Sequence, residues 1–597
     1  MANRSLRFYR DVPLKPGSLE SRVLRLSPGT EGDPISATVD KLDLANLAQP
    51  YSTLSYTWGD AEVTKPVTVN GEVFQATVNL YDALQHVRSV DTPILIWVDA
   101  ICINQWDLAE KSSQVSFMAE LYKQCDKVYV WLGRPAHPGE LKCSPFALLE
   151  HFRDGKHCQD LPGYHREPQT GAWTCDTEDA GYRALWDSLA YVARSPWWSR
   201  AWTVQELILP PVAIVMYGKF SISWTDITVS RVTRNAHFYT YSDDCCGFSH
   251  EAIPRKDIQP FDVVLASVEE LETTRLRNGH FKTFQEIERG FASRKCQDPR
   301  DKIWSLLSFS PSSASDYPVD YTTPVSQVFF NAFRTMLTES GGSLQCLLGH
   351  GFNTKELDLP SWARNFTDVP ASRSLNYLQN RRVWAVYPLF NACGGRDASA
   401  VLVGAGELHL QGVRLDQVSA VGKACEDFWI DDLKSLMDDW YELCRREGIS
   451  FTRDVLDDKI ARVLCNDVVD DPADHTIGLW RFVRNGYADL PSDSQWSSFL
   501  DTGDPWALPR KFRGSVDTAV AGRVLYSTKE RRIGLANPSI QPGDEIWAID
   551  GSRIPFVLRP SPGGSSNLRL ICETYLHGVM HGEEIVESVG SAKVILV

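Results

Sequence analysis

Short apolar runs separated by polar punctuation fill the first half of the chain, and their lengths predict strands alternating with helices. SRVLRL (21–26) reads as a strand inside an extended lead-in that carries Pro13, Pro16 and Gly17. VTVNGEVFQATVN (67–79) sets β-rich runs on either side of Asn70-Gly71, the pattern of a hairpin with a two-residue turn. LYDALQHVRS (80–89) has helical spacing at Leu80, Leu84 and Val87. ILIWV (94–98) is a continuous apolar run, which suits a strand buried on both faces of a parallel sheet. From Asp107 to Cys125 the period is helical, with Val115, Met118, Tyr122 and Cys125 on one face. VYVWLG (128–133) then reads as a second buried strand, completing a βαβ unit.

Residues 134–180 are rich in Pro, Gly, His and Cys and are expected to be a surface insertion. Helices are predicted at 180–193, 224–236 and 258–275, and a strand at VAIVMYG (212–218). CQDPRDKIWSLLSF (296–309) predicts a turn at Asp298-Pro299 followed by an amphipathic helix. SPSSASDYP (310–318) is linker-like. Helix is expected over 320–350, and LPSWARNF (359–366) is a turn centred on Trp362. The last third reads as mostly β, with Gly and Pro at strand-length intervals. There is no internal repeat. The expected class is α/β: a parallel sheet flanked by helices over 50–310, after a lead-in over 1–49. A β-rich α+β region follows over 311–597.

Composition narrows the class. A chain of 597 residues exceeds what one core supports, so two or three domains are expected. Net charge is −15 and no Lys/Arg-rich run occurs, which argues against a nucleic-acid partner. No apolar stretch reaches the roughly 18 residues of a membrane span. The N-terminus lacks the apolar middle of a signal peptide. The 14 cysteines form no C-x-x-C pair, and the adjacent Cys245 and Cys246 are too close to bridge without strain. Reduced thiols and a cytoplasmic location are expected. His577 and His581 lie four apart, but Gly578 between them and the lack of a third ligand favour a structural role, so no metal site is assigned.

Three blocks carry residues that a plain core does not need: YSTLSYTWGD (51–60), the segment 94–133, and RSPWWSRAWTVQEL (194–207). If the third is helical, Trp198, Trp202 and Gln205/Glu206 share a face. A carboxylate beside indole rings sits in a partly dry site, where its pKa rises; Arg200 or Arg194 would oppose that rise by ion pairing. The plainer reading is that Glu206 bridges an arginine while the tryptophans fill core. Asp99 follows the buried strand ILIWV, and the carboxyl end of a parallel strand is where open α/β sheets bind ligands. Cys102 has no histidine near it in sequence to serve as a base, so it reads as a small buried hydrophobe. Asn104 and Gln105 suit a backbone turn or a ligand contact. Ser55, Trp58, Gly59 and Asp60 follow a strand-like run, and Gly59 permits a sharp turn.

Taken together, the blocks resemble the fungal heterokaryon incompatibility (HET) domain family. The matching elements are Leu54-Ser55-Tyr56-Thr57-Trp58-Gly59, then Trp97-Val98-Asp99 with Cys102-Ile103-Asn104-Gln105. The third is Trp197-Trp198-Ser199-Arg200-Ala201-Trp202 with Gln205-Glu206. Asp298-Pro299-Arg300-Asp301-Lys302, the PSWARNF turn and the β-rich tail extend the likeness over most of the chain. Ala201 and Trp106 depart from the commoner pattern. The resemblance implies a part in self/non-self recognition and in programmed cell death when incompatible hyphae fuse.

The order of pieces is also similar, more distantly, to Toll/interleukin-1 receptor (TIR) domains, although the Cys of their Trp-Cys pair is missing here. That likeness implies a TIR-like α/β sheet. It also implies NAD as a substrate rather than a resident cofactor, with Glu206 as catalytic residue. Ser55, Trp58, Asp99, Asn104, Trp198, Arg200, Trp202 and Gln205 would line the binding site. Two readings stay open: an NAD glycohydrolase-type effector, and a non-enzymatic module that signals by self-association or by binding another incompatibility protein.

Overall fold

The computed structural model describes residues 6–137, 139–239, 253–277, 281, 283–310, 317–340, 343–349, 357–368, 373–404, 406–428, 432–450, 458–470, 482–484, 491–561, 566–585 and 590–597. Cys245-Cys246 and most of the linker-like 310–318 stretch lie outside them. The chain divides into two compact units. Residues 1–287 and 294–323 form the first; 288–293 and 324–597 form the second.

In the first unit, chain order gives β1 (Glu20–Leu26), β2 (Ser36–Asp43), β3 (Ser52–Ser55), β4 (Thr64–Val69), β5 (Glu72–Thr77), β6 (Ile94–Trp97) and β7 (Lys127–Trp131). A small hairpin, β8 (Tyr164–Arg166) with β9 (Trp173–Cys175), stands apart; β10 (Ala213–Tyr217) and β11 (Phe220–Ser223) follow. Nine strands form one sheet in the order β11-β10-β7-β3-β6-β1-β2-β4-β5. Its centre, β10-β7-β3-β6, is wholly parallel. All four residues of β3 are buried, as a strand covered on both faces requires. The alternating strand β2 buries every second residue over its first half and lies beyond the parallel centre.

Chain order within the parallel centre matters for function. β3 comes first, β6 is added on one side of it, and β7 and β10 on the other. The connections therefore reverse direction at β3, and the carboxyl ends of β3 and β7 flank a topological switch point. Open α/β sheets bind ligands in the crevice such a reversal leaves.

Local expectations met the structure unevenly. The hairpin turn is Asn70-Gly71, both at positive φ (50° and 78°), which two-residue turns between twisted strands demand. The helix at 180–193 is present as Ala180–Ala193, N-capped by the Asp179 side chain. The expected 107–125 helix is two, Leu108–Ser116 and Met118–Gln124, separated at Phe117. Residues 134–180 are not simply a surface insertion. Phe146, Leu149, Phe152 and Cys158 are completely buried, and Phe152 stacks on Phe261 with ring centroids 5.6 Å apart. The Pro- and Gly-rich flanks concealed this apolar helix, Ala147–Arg153.

The second unit is built on β13 (Glu407–Cys425), preceded by β12 (Val401–Val403). A short pair, β14 (Val468–Asp470) with β15 (Phe482–Arg484), is separate. β16 (Arg523–Thr528), β17 (Ile533–Ala536), β18 (Glu545–Ile549), β19 (Phe556–Pro560) and β20 (Asn567–Leu576) then pair in the circuit β13-β16-β17-β20-β19-β18-β13, all antiparallel. A closed circuit removes open edges. β13 serves two neighbours by bending at register shifts near Val418–Ala420 and Arg414–Asp416. Val418, Val524, Tyr526, Ile546, Val557 and Leu576 belong to the buried core these strands share. β21 (Ala592–Leu596) pairs with β13 and β20. The β-rich expectation holds, but helices at Leu433–Arg446, Asp493–Thr502 and Arg510–Val520 interrupt it.

Candidate functional site

Glu206 lies on the short helix Thr203–Ile208 and is 4% exposed. Ser55, the last residue of β3, donates its hydroxyl hydrogen to Glu206 Oε2 at 2.5 Å. Ser55 Oγ itself accepts from Trp197 Nε1 at 2.8 Å, so the hydroxyl is oriented by a donor on one side and an acceptor on the other. Asp99 begins the turn after β6. Its Oδ2 accepts from Trp58 Nε1 at 2.7 Å and lies 3.8 Å from Arg200 Nη2, while Oδ1 accepts from the Ala100 amide at 2.8 Å. Arg200 Nη1 donates to the Tyr56 carbonyl. The Tyr56 hydroxyl is buried and faces Asp99.

Burial pushes the Glu206 carboxyl up to about 7, against the opposing pull of Arg200 and of the Ser55 hydrogen bond; Asp99 adds to the rise. Burial draws the Arg200 guanidinium down, but Glu206 and Asp99 outweigh it and leave the group above its ordinary value. A carboxyl balanced near neutrality exchanges a proton or carries charge with little bias, the state that acid–base and electrostatic catalysis use. Asp99 and Arg200 keep 18% and 19% of their side chains exposed, so this end of the cluster meets solvent while Glu206 and Ser55 do not.

Not every expected residue joins the cluster. The segment 194–207 is not one helix: Pro196–Ser199 is a 3-10 turn, Arg200 is extended, and the α-helix starts at Thr203. The extended step arises because this backbone pairs with another segment: Ala201 N donates to Lys295 O at 2.8 Å. Trp198, Trp202 and Glu206 therefore do not line one face. Trp198 Nε1 bonds the Val192 carbonyl at 2.8 Å, a packing role. Trp202 Nε1 bonds a different carboxylate, Asp301 Oδ2, at 3.0 Å. Asn104 serves its own turn, accepting from Trp106 N at 3.3 Å, and Gln105 donates to the Asp99 carbonyl at 3.0 Å. Gln205 is buried, with Nε2 unpartnered. Cys102 is fully buried and its thiol is pushed up to about 12 by burial, opposite to what a nucleophile needs. Trp197 and Tyr56 were not among the expected site residues, although both stand inside the motif blocks.

The family model for "Heterokaryon incompatibility protein (HET)" matches residues 51–206, a span that begins one residue before β3 and ends on Glu206. A second, "Het-6 beta-barrel domain", matches 510–593, a span that holds the Arg510–Val520 helix and the strands β16 to β20 of the closed circuit. Residues 51–206 carry a HET domain by the first match. This HET-domain protein is 23% identical to "Heterokaryon incompatibility protein 6, OR allele" of Neurospora crassa, across 96% of each chain. No solved structure matches it. No helix among the described residues is long and apolar enough to cross a membrane.

Proposed function

We propose that this HET-domain protein acts in heterokaryon incompatibility, as an effector of fungal self/non-self recognition and cell death. Its α/β unit would hydrolyse the nicotinamide–ribose bond of NAD. The observation that carries the reading is Glu206: a buried carboxyl near neutrality, bonded to Ser55 beside a topological switch point. The Neurospora crassa relative, named for incompatibility, supports the biological half.

The chemistry fits the residues. Nicotinamide in NAD is already cationic, so it departs as neutral nicotinamide, taking the bonding electrons, without a general acid. Ionised Glu206 stabilises the oxocarbenium-like ribose, water adds to it, and a proton is released. Arg200 keeps the Glu206 pKa from climbing beyond reach of neutral pH. Asp99 and Trp58, bonded to each other at the more open end, would meet the substrate's polar groups. The test is NAD concentration over time with the purified full chain, wild type beside Glu206→Gln. Loss with wild type alone supports the reading; equal loss with the variant removes Glu206 from catalysis.

Self-association is the second reading, and the sheet itself favours it. β5 is an edge strand with Val73 53% exposed, a template for pairing with another copy. This reading expects toxicity to survive Glu206→Gln and to follow oligomerisation in sedimentation.

A further inference from the structure

Asp99 opens a helix of a single turn, Asp99–Cys102. A helix that short does not hold its own shape in water. Its place is set from a segment remote in sequence. β1 runs antiparallel to β6 with Leu24 opposite Ile96. Arg22, two residues earlier on the same face, therefore reaches the carboxyl end of β6, where the Asp99 turn begins.

Arg22 is 1% exposed, and all five of its N–H groups are used. Nη1 donates to the Cys102 carbonyl at 3.2 Å and to Glu110 Oε1 at 2.6 Å. Nη2 donates to Glu110 Oε2 at 3.1 Å and to the Tyr9 carbonyl at 3.2 Å. Nε donates to the Val12 carbonyl at 2.9 Å. Glu110 Oε1 also accepts from the Asn104 amide at 2.8 Å. The Tyr9 hydroxyl donates to the Ile103 carbonyl at 3.4 Å, and the Arg22 guanidinium lies 5.0 Å from the Tyr9 ring centroid. Gln105 donates back to the Asp99 carbonyl. Each residue from Cys102 to Gln105 is thus bonded either to this network or to Asp99 itself.

A two-bond fork between guanidinium and carboxylate fixes direction as well as distance, which a point charge does not. Tyr9, Val12 and Arg22 all precede the matched span 51–206. We infer that Arg22 is a positioning residue for substrate binding. Through the Cys102 carbonyl and Glu110 it holds the turn that presents Asp99 to Trp58 and Arg200, so chain outside the matched span completes the site. This role rests on the substrate contacts assigned to Asp99 above. Arg22 itself is buried and acts through the turn.

The test is Arg22→Lys in the full chain, which keeps the charge and loses the fork. KM and kcat for NAD are measured, together with hydrogen–deuterium exchange by mass spectrometry. KM should rise about tenfold or more while kcat changes less, because Asp99 is displaced and Ser55 and Glu206 stay in place. Exchange should quicken at 99–105 and match wild type at 203–208. The role needs both readouts: an unchanged KM, or unchanged exchange at 99–105, overturns it. Exchange quickened equally at 203–208 also overturns it, since that marks a general loss of stability. If the wild type consumes no NAD, the proposed activity fails by itself, and exchange still decides whether Arg22 holds the turn. Glu110→Gln keeps an acceptor for the Asn104 amide and gives the same readouts if Arg22→Lys does not fold.

Discussion

The Ser55 hydroxyl donates to Glu206 Oε2 across 2.5 Å, joining residues 151 positions apart in the chain. The bond ties the end of β3 to the helix that follows the 3-10 turn; burial, working against the pull of this bond and of Arg200, leaves the carboxyl poised rather than permanently ionised. Catalysis by Glu206 requires the ionised form. The rate of NAD loss should therefore rise about tenfold per pH unit below about 7 and level off above it. A profile flat between pH 5 and 8 would remove Glu206 from the chemistry.

The same shift has a consequence for stability. The ordinary glutamate value is 4.5 and the folded value about 7, so the folded state holds the proton more tightly. This contribution is fully present below pH 4.5 and is lost as pH rises through about 7, by roughly 3 kcal/mol. Glu206→Gln should abolish that part of the decline. Urea denaturation of both chains at pH 5 and pH 8 measures the difference.

Arg200→Gln removes the main cation opposing the rise. The Glu206 value should climb further, moving the activity profile to higher pH while Ser55 and Trp197 stay in place. A pH–rate profile of the variant tests this; an unshifted midpoint would show that Arg200 and Glu206 are not coupled.

Asp301 accepts from both Trp202 Nε1 (3.0 Å) and the Tyr321 hydroxyl (2.7 Å). Asp301→Ala leaves two buried donors unpaired and should cost about 2–4 kcal/mol in urea denaturation. Asp301→Asn keeps an acceptor and should cost less.

Cys102 is sealed in the core with its thiol raised to about 12. Iodoacetamide at pH 7 should leave it unmodified in the folded chain, as peptide mass mapping would show. Cys102→Ala should retain whatever NAD-consuming activity the wild type has.

The sequence by itself determined the elements and the blocks. Continuous apolar runs such as ILIWV specify strands buried on both faces, and Asn70-Gly71 specifies its turn, because these depend on neighbours in the chain. The motif blocks likewise placed Ser55, Asp99 and Glu206 among the candidates. Tertiary structure decided which side chains meet. Arg200 is extended because its neighbours bond to Lys295, so Trp197 rather than Trp198 or Trp202 reaches Ser55. Helical spacing assumed an unbroken helix and could not register a pairing with a segment nearly a hundred residues away. The Glu206 shift belongs to the same class: burial and the distance to Arg200 set it, and both exist only once the chain has folded.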